Sequence, residues 1–410
     1  MSTTVILGAG IIGTSTAYYL SKRQPASSIH LVEPSPELFA SASGYAGGFL
    51  AKDWFSAASA ELGALSFEEH RKLAEKDGGA QKWGYSRSTS ISLSPATKSK
   101  KRVDVWCRDG ASRAEAASGD PSAGIAPPWL SRVEGNAVEV ISDEGTVAQV
   151  DPLQLSQHLL QKCVDAGVQL HHPAQAISIQ TDMRDELSSI CVADTQSNTE
   201  TDIPCTTIII TAGAWSPQVF ATLFPTSDFR LPVSSLAGHS LVVKSPRWTK
   251  EHENRHGCHA VFMTSQPGYS PEIFSRVGGH IYIAGLNSAA EPLPGLATEA
   301  KRRISRAAVE RLRDTAREVL GVEDDDVEVV REGLCFRPVT ESGTPILGRI
   351  PDTCLGPSVS TRAGPGGGVY VAAGHGPWGI SMSLGTGKVM AEMVQGRELS
   401  ADVSRLALKV

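Results

Sequence analysis

Short apolar runs followed by glycine-rich turns dominate the pattern of hydrophobic and polar positions in this chain. The first, Thr4–Leu7, leads into Gly8-Ala9-Gly10-Ile11-Ile12-Gly13 and a helical stretch, and the next strand, Ile29–Val32, ends on Glu33. Thr206–Thr211 is a β-branched run, and Val369–Ala373 is an apolar run that continues through Gly374 into another helical pattern. Runs without polar alternation predict buried strands of a parallel sheet.

A long amphipathic helix is predicted over Glu299–Leu320. Apolar residues recur there at helical spacing, and Gly321 follows the last of them. Arginines cover the other face, but Glu310, Asp314 and Glu318 are interspersed among them. We therefore interpret this face as solvated and internally paired rather than as a nucleic-acid surface.

The length predicts two domains, because 410 residues exceed the usual size of a single core. The strand-glycine-helix patterns assign residues 1–88, 145–220 and 333–410 to a discontinuous dinucleotide-binding domain. The remaining stretches, 89–144 and 221–332, contain mixed polar strands and several prolines. They are predicted to form a β-rich substrate domain.

Composition and charge narrow the function classes. The chain has 38 basic and 44 acidic residues and a formal charge of −6, which favours neither nucleic acid nor an anionic membrane surface as a partner. No apolar stretch is long enough to span a bilayer, and the chain opens directly into a strand without a basic region or cleavage site. The seven cysteines are scattered without a CxxC pair, so we expect no metal site and a cytoplasmic location.

The turn after the first strand has the spacing of a dinucleotide fingerprint. Gly8 permits a tight turn, Gly10 lets the backbone approach a pyrophosphate, and Gly13 allows close packing of helix on strand. The N–H groups at the helix start face the phosphate charge, and Glu33 follows the second strand, where a carboxylate binds ribose hydroxyls. We therefore expect an adenine dinucleotide, and the charge of Glu33 disfavours NADP.

Five segments in chain order carry a more specific resemblance. They are the turn Gly8–Gly13, the helix start Asp151-Pro152, Thr211–Ser216, Arg337–Thr340 and Gly374–Gly376. Together they resemble the FAD-dependent amine and D-amino-acid oxidase superfamily, the DAO family, over most of the chain. The resemblance implies an α/β fold, with a Rossmann-like FAD-binding domain of the glutathione-reductase type interleaved with an α+β substrate domain of mainly antiparallel sheet.

The resemblance also implies which residues surround the cofactor. The expected contacts of FAD are with the first turn, the loop after Glu33, the adenine side and the last strand-to-helix junction: Gly8, Gly10, Ile11, Ile12, Gly13, Glu33, Ser41, Ser43, Gly47, Gly48, Ala176, Ala212, Gly213, Trp215, Gly374, Gly376, Trp378, Gly379 and Ile380. The N–H groups from Gly376 to Ile380 begin a helix, where fixed donors stabilise negative charge on a reduced flavin. Pro377 lacks one of these donors.

Cys335 is a further cofactor candidate with two interpretations. In monomeric sarcosine oxidase and fructosyl-amine oxidases, which this chain resembles, a cysteine in a similar segment forms a thioether to the flavin. The alternative is a free cysteine that only packs in the core. The loop Ser43–Phe49 lacks the His/Arg pair of the covalent members, which favours the free cysteine.

Arg337 is predicted to bind the substrate. Its planar fork of donors matches a carboxylate, and in D-amino-acid and glycine oxidases the arginine of a similar Arg-Pro motif binds the substrate carboxylate. The alternative is a structural ion pair with Glu332 or Glu341. The other catalytic candidates are His375, which accepts protons near neutral pH or else only packs beside the flavin, and Tyr45, as part of an aromatic pocket wall.

The resulting hypothesis is an FAD-dependent oxidoreductase that oxidises the CH–NH bond of an amino or imino acid by hydride transfer to flavin N5. Oxygen is the expected electron acceptor, hydrogen peroxide the product, and a monomer or homodimer the expected assembly. One alternative is a dehydrogenase with another acceptor, because no oxygen-activating lysine follows Tyr282–Asn287. The other is a DAO-fold flavoprotein with a trafficking or interaction role, because the segment Pro271–Arg276 resembles fungal DAO-fold proteins linked to trafficking more than it resembles sarcosine oxidase.

Overall fold

The computed structural model describes residues 3–95, 113–117, 122–123, 126–131, 136–263, 269–321 and 327–410; Cys107 and much of the stretch 89–144 lie outside them. The helices are α1 Ile11–Leu20, α2 Ala42–Tyr45, α3 Ala60–Asp77, α4 Gly79–Lys82, α5 Pro152–Ala166, α6 Ser216–Leu223, α7 Lys250–His256, α8 Arg306–Leu320 and α9 Gly379–Val394. The strands are β1 Thr4–Leu7, β2 Ile29–Val32, β3 Phe49–Ala51, β4 Ser86–Pro95, β5 Ser122–Ala123, β6 Asn136–Ser142, β7 Val147–Gln149, β8 Gln169–His171, β9 Ala174–Thr181, β10 Leu187–Asp194, β11 Glu200–Pro204, β12 Thr207–Ile210, β13 Ser234–Lys244, β14 Cys258–Met263, β15 Glu272–Arg276, β16 His280–Ser288, β17 Glu328–Val339, β18 Ile346–Ile350 and β19 Gly368–Ala373.

A six-stranded sheet is built from the apolar runs, in the order β18-β19-β12-β1-β2-β8. All neighbours are parallel except β18, which runs antiparallel to β19 at the edge. Alternate residues serve two cores: Ile6 and Ile209 pack with α1, α5 and α9, whereas Val5 and Ile208 pack with α6 and the three-stranded sheet β11-β10-β9. Because both faces are covered, these strands are apolar throughout.

The larger sheet has the order β17-β13-β16-β15-β14-β4-β6-β5, and every pair in it is antiparallel except β14 with β4. Its residues alternate as a strand requires. Leu241 and Ile283 face α8, whereas Val242 and Tyr282 face the core shared with the six-stranded sheet. This arrangement confirms the predicted fold class. No helix in the described stretches has the length and apolarity to cross a bilayer.

The predicted domain boundary at residue 333 needs correction, because it falls inside β17. This strand is hydrogen-bonded to β13 from end to end, with Glu328 opposite Lys244 and Val339 opposite Ser234. Residues 333–339 therefore belong to the larger sheet. The remaining boundaries stay predictions.

The predicted helix Glu299–Leu320 begins later than expected. Ala297–Arg303 forms a 3₁₀ helix, and α8 starts only at Arg306. The reason is Ser305, whose Oγ accepts a hydrogen bond from the N–H of Ala308 and so caps α8, a start signal that the apolar spacing alone does not show. The exposed face of α8 carries ion pairs such as Arg317 to Asp314, with an N–O distance of 2.7 Å.

Candidate functional site

The first wall of the site is the turn between β1 and α1. Gly8 has a positive φ of 105°, and a Cβ there would lie 2.8 Å from the Cα of Ala212, so only glycine fits. A Cβ on Gly13 would lie 2.0 Å from the carbonyl oxygen of Gly8. The turn thus brings the start of α1 to the carboxyl end of β1, where ligands of such sheets bind.

Glu33 follows β2 and faces the same cavity. Its Oε2 accepts a hydrogen bond from the N–H of Ala9 and its Oε1 accepts one from the N–H of Ser35, each at 3.0 Å. Burial raises the pKa of this carboxyl, although the two backbone donors and the nearby His172 oppose the rise. The side chain is therefore fixed in orientation, with its oxygens beside the glycine turn.

The second wall is the junction between β19 and α9. Gly374 has a positive φ of 84°, a 3₁₀ turn follows at Gly376–Trp378, and α9 begins at Gly379. The first N–H groups of a helix have no partner within it, and Gly379 and Ile380 line the cavity. This helix start therefore presents donors and positive dipole charge to the cavity.

His375 lies in this wall but is held by the protein itself. Its Nε2 is 3.0 Å from the hydroxyl oxygen of Thr386, and the residue is buried. Burial lowers the pKa of His375 to about 3, so the imidazole is neutral at physiological pH. These contacts fit the packing interpretation better than a base that titrates near neutral pH.

The loop Ser41–Gly48 forms the third wall. The hydroxyl of Ser43 accepts a hydrogen bond from the N–H of Ile11 at 2.9 Å, and that of Ser41 accepts one from the N–H of Phe336 at 3.2 Å. This loop therefore joins α1 to β17, a strand of the other sheet.

A buried arginine, missed by the sequence analysis, holds the tip of this loop. Arg276 is 4% exposed and donates hydrogen bonds to the carbonyl oxygens of Ala46 at 2.5 Å and Gly47 at 2.8 Å. Asp151 lies 3.7 Å from its Nη1. The sequence signal that could have revealed Arg276 is its position as a charged residue at the end of an apolar strand.

Tyr45 requires a correction, because it does not line the cavity. Its ring lies beneath the Arg331 guanidinium, 4.7 Å from the ring centre, and a Cβ on Gly333 would lie 2.5 Å from the same ring. The Tyr45 ring occupies the space that a side chain at position 333 would fill, and it therefore lies away from the expected pocket wall.

The structure brings most of the predicted cofactor residues into one cavity, lined by Gly8, Gly10, Ile11, Ile12, Glu33, Ser41, Ser43, Gly47, Ala176, Ala212, Gly213, Trp215, Cys335, Gly376, Gly379 and Ile380. Trp215 is fixed by its Nε1, which donates to the carbonyl oxygen of Pro294 at 2.7 Å. The remaining predicted residues are not part of this lining: Gly13, Gly48, Gly374 and Trp378.

Arg337 lies on β17 and lines this cavity. Its Nη1 donates a hydrogen bond to Oδ1 of Asn287, and no described carboxylate forms an ion pair with it. Glu332, the expected structural partner, pairs with Arg306 and Arg313 instead. Burial lowers the pKa of Arg337, but Cys335, Tyr282 and other neighbours outweigh burial and leave the pKa raised. The guanidinium is therefore a permanent cation with no described carboxylate at ion-pair distance, although the charge of Glu272 contributes to its raised pKa.

Cys335 lies two residues before Arg337, on the same face of β17. Its thiol is free and almost fully buried in the cavity wall. Burial raises the pKa of this thiol, although the nearby Arg337 and Arg331 oppose the rise. The thiolate form, which is the nucleophile, is therefore scarce at neutral pH.

A family model described as FAD dependent oxidoreductase, DAO, matches residues 3–393 of the chain. The chain belongs to the DAO family of FAD-dependent oxidoreductases. The match confirms the resemblance found in the sequence and, at this level, the enzyme class.

Relatives share the architecture of this DAO-family chain along nearly its whole length. A protein of Schizosaccharomyces pombe named "Putative oxidoreductase C1F5.03c" is 27% identical over 423 residues, which cover 98% of this chain and 96% of that protein. The crystal structure of glycine oxidase from Geobacillus kaustophilus has a TM-score of 0.72 at 20% identity, covering 100% of this chain and 98% of that one. L-Proline dehydrogenase from P. horikoshii has a TM-score of 0.73 at 14% identity, covering 99% and 96%. The two structures establish the fold alone.

Proposed function

We propose that this DAO-family protein oxidises the carbon–nitrogen bond of an amino or imino acid. The observation that carries the proposal is Arg337, a cation with no described carboxylate at ion-pair distance, which shares one cavity with the glycine turns and the start of α9. A guanidinium binds a carboxylate through two parallel hydrogen bonds, which fixes both the position and the orientation of the bound acid. Asn287 holds the guanidinium in place.

The residues around the cavity fit FAD, the cofactor of the family. In this proposal Gly10, Ile11 and Ile12 hold the pyrophosphate at the start of α1, Glu33 holds the ribose, and the start of α9 faces the flavin. Bound FAD supplies the hydride acceptor for the carbon next to the substrate nitrogen. The protein contributes position, exclusion of water and the dipole of α9, since His375 is already bonded to Thr386.

We propose that FAD is bound without a covalent link. The support is the buried Cys335 thiol, whose raised pKa keeps the nucleophilic thiolate scarce. The thioether would need that thiolate, or an equivalent activation, beside the flavin.

Oxygen is the proposed electron acceptor, with hydrogen peroxide as the product. A dehydrogenase that passes electrons to another acceptor is the second candidate, because no lysine is found among the described residues that line the cavity. One peroxide released for each substrate oxidised in air supports the oxidase. Substrate reduction of the flavin under nitrogen, followed by slow reoxidation in air, supports the dehydrogenase.

The test is an anaerobic titration of the FAD-loaded protein with pools of D- and L-amino acids, N-methyl amino acids and cyclic imino acids. Bleaching of the flavin band at ~450 nm by one pool is the expected result. Arg337→Met should raise the half-saturating concentration at least about 100-fold, because two charge-assisted hydrogen bonds of about 1.5 kcal/mol or more each are lost. Arg331→Met, on the same strand but outside the cavity lining, is the matched control. A flavin that no pool reduces contradicts the proposal.

A further inference from the structure

An ion pair between Arg113 and Glu272 lines the cavity that Arg337 enters, and neither the proposed FAD contacts nor the Arg337 anchor accounts for it. The Nε of Arg113 lies 2.5 Å from Oε1 of Glu272, and its Nη2 lies 2.6 Å from Oε2, so the two side chains form a bidentate pair. Their side chains are only 8% and 16% exposed, and both line the cavity. The carboxylate is therefore fixed, and it still reaches the space where a substrate binds.

Aromatic rings enclose the cationic partner of this pair. The guanidinium carbon of Arg113 lies 5.0 Å from the ring centre of Trp378, 5.7 Å from those of Phe262 and Phe274, and 5.9 Å from that of Phe49. Cations are attracted to ring faces at these distances. Arg113 is thus held from several sides, and through its two hydrogen bonds it fixes the plane of the Glu272 carboxylate.

Packing alone gives no reason for a charge at position 272. Phe274 lies two residues further on the same face of β15, and Phe262 on β14 packs beside it, so an apolar side chain would suit this surface. Burying an ion pair costs desolvation energy that an apolar pair avoids. A carboxylate kept there points to a partner that enters the cavity.

Glu272 and Arg337 lie on one cavity surface, since both line the same cavity. They also lie close enough that the negative charge of Glu272 contributes to the raised pKa of Arg337. Tyr282 lies within the electrostatic influence of both charges. An amino acid bound by its carboxylate at Arg337 can therefore direct its nitrogen along this surface toward Glu272.

We propose that Glu272 binds the amino nitrogen of the substrate while Arg337 binds its carboxylate, an inference that rests on the proposed function. Charges then alternate along the cavity from Arg337 through the substrate carboxylate and nitrogen to Glu272 and Arg113. The pair of anchors selects α-amino and α-imino acids over carboxylic acids that lack the nitrogen.

Matched ligands separate the two anchors. Flavin absorbance changes give Kd values for alanine and propionate, and for proline and cyclopentanecarboxylate, with the FAD-loaded wild type and Glu272→Gln. The variant should weaken binding of each amino acid at least about tenfold, as expected for one charge-assisted hydrogen bond, and leave each nitrogen-free acid within about twofold. Glu328→Gln removes an exposed carboxylate paired with Lys244 and serves as the control.

The pH profile gives a second readout. Hydride loss needs the free amine, and a carboxylate beside the ammonium raises the pKa at which that amine forms. Glu272→Gln should therefore move the rising limb of the flavin reduction rate to lower pH. If the single variant does not hold FAD, the double variant Arg113→Met with Glu272→Gln replaces it, because no unpaired charge is left buried.

The outcomes are distinct from those of the proposed function. Equal losses for amino acids and nitrogen-free acids, unchanged Kd values, or no response of the wild type to any amino acid overturn the role of Glu272. If the Kd pattern is as expected but no amino acid bleaches the flavin, the role of Glu272 stands and the proposed oxidation fails. If the wild type is bleached and Glu272→Gln behaves like it, only the role of Glu272 fails.

Discussion

Gly238→Ala tests whether the position of the Arg337 guanidinium, and not its charge alone, sets substrate affinity. Gly238 is the cross-strand neighbour of Cys335, and the guanidinium lies over it. A Cβ at this position would lie 2.9 Å from Nη2 and 3.0 Å from both Cζ and Nη1 of Arg337. Heavy atoms pack at about 3.5 to 4.0 Å, so the guanidinium must move by about 0.5 to 1 Å.

The effect on binding should far exceed the effect on stability. The displaced atoms are the flexible end of a side chain, so the free energy of unfolding should change by less than about 1 kcal/mol. A displacement of this size breaks or lengthens at least one of the two charge-assisted hydrogen bonds to the substrate carboxylate, worth about 1.5 kcal/mol or more. Gly238→Ala should therefore raise the Kd of an amino-acid substrate at least about tenfold while the Tm changes by only a few degrees.

Anaerobic flavin titrations and thermal melts of the FAD-loaded proteins measure both quantities. Gly348→Ala is the matched control, since it lies on β18 outside the cavity lining and its Cβ would lie 3.7 Å from the nearest atom, an ordinary contact. Substrate affinity within threefold of the wild type in Gly238→Ala would refute the reasoning. So would an equal loss in the control.

Three further predictions follow from the buried polar groups. Arg276→Met leaves the carbonyl of Ala46 without its donor and that of Gly47 with Gln149 alone, so urea unfolding should show a loss of about 1 to 3 kcal/mol, and an unchanged midpoint would contradict this. Acid precipitation should leave the flavin in the supernatant, whereas a yellow pellet would indicate a thioether at Cys335. Burial lowers the pKa of His70 and His259 to about 4 and that of His375 to about 3, so these histidines gain protons only on unfolding. As the pH falls from about 6.5 to 4, the free energy of unfolding should therefore fall by up to about 1.4 kcal/mol per pH unit for each histidine, and above pH 6.5 it should level off. Replacing one of the three by Asn should make this slope shallower.

The glycine turn and Glu33, which come together at one cavity, could be predicted to do so from the sequence because their signals are local. Gly8, Gly10 and Gly13 stand within one turn, and Glu33 follows after a single helix and strand. Gly8 and Gly13 leave room for contacts within the β1-α1 unit and with Thr211 and Ala212 after the neighbouring strand β12, and Gly10 leaves room for Ser43 in the loop after Glu33. Because the residues of this motif are close in sequence, the motif determines its own local structure, and the fold class could be predicted from it.

The proposed substrate half of the site could be predicted from the sequence only in part, because its contacts join distant segments. Arg113 and Glu272 are 159 positions apart and meet only when β15 takes its place in the larger sheet. Tyr45 was misplaced for the same reason: the gap left by Gly333 on β17 decides where the ring goes, and nothing near Tyr45 in the sequence reports it. Arg337, which lines the cavity, could be singled out because the family motif, and not local patterning, marks it; its role as the substrate anchor stays a prediction.

Strand β15 fixes the position of the larger sheet relative to the loop Ser41–Gly48. Its alternate residues share one face. Glu272 reaches the cavity, Phe274 packs on Gly47, where a Cβ would lie 2.5 Å from the ring, and Arg276 binds the carbonyl oxygens of the loop tip. A shift of this strand would move the Glu272 carboxylate and the tip of the loop Ser41–Gly48 together. The buried charge of Arg276 therefore links the larger sheet to this loop beside the cavity that Gly47 and Glu272 both line.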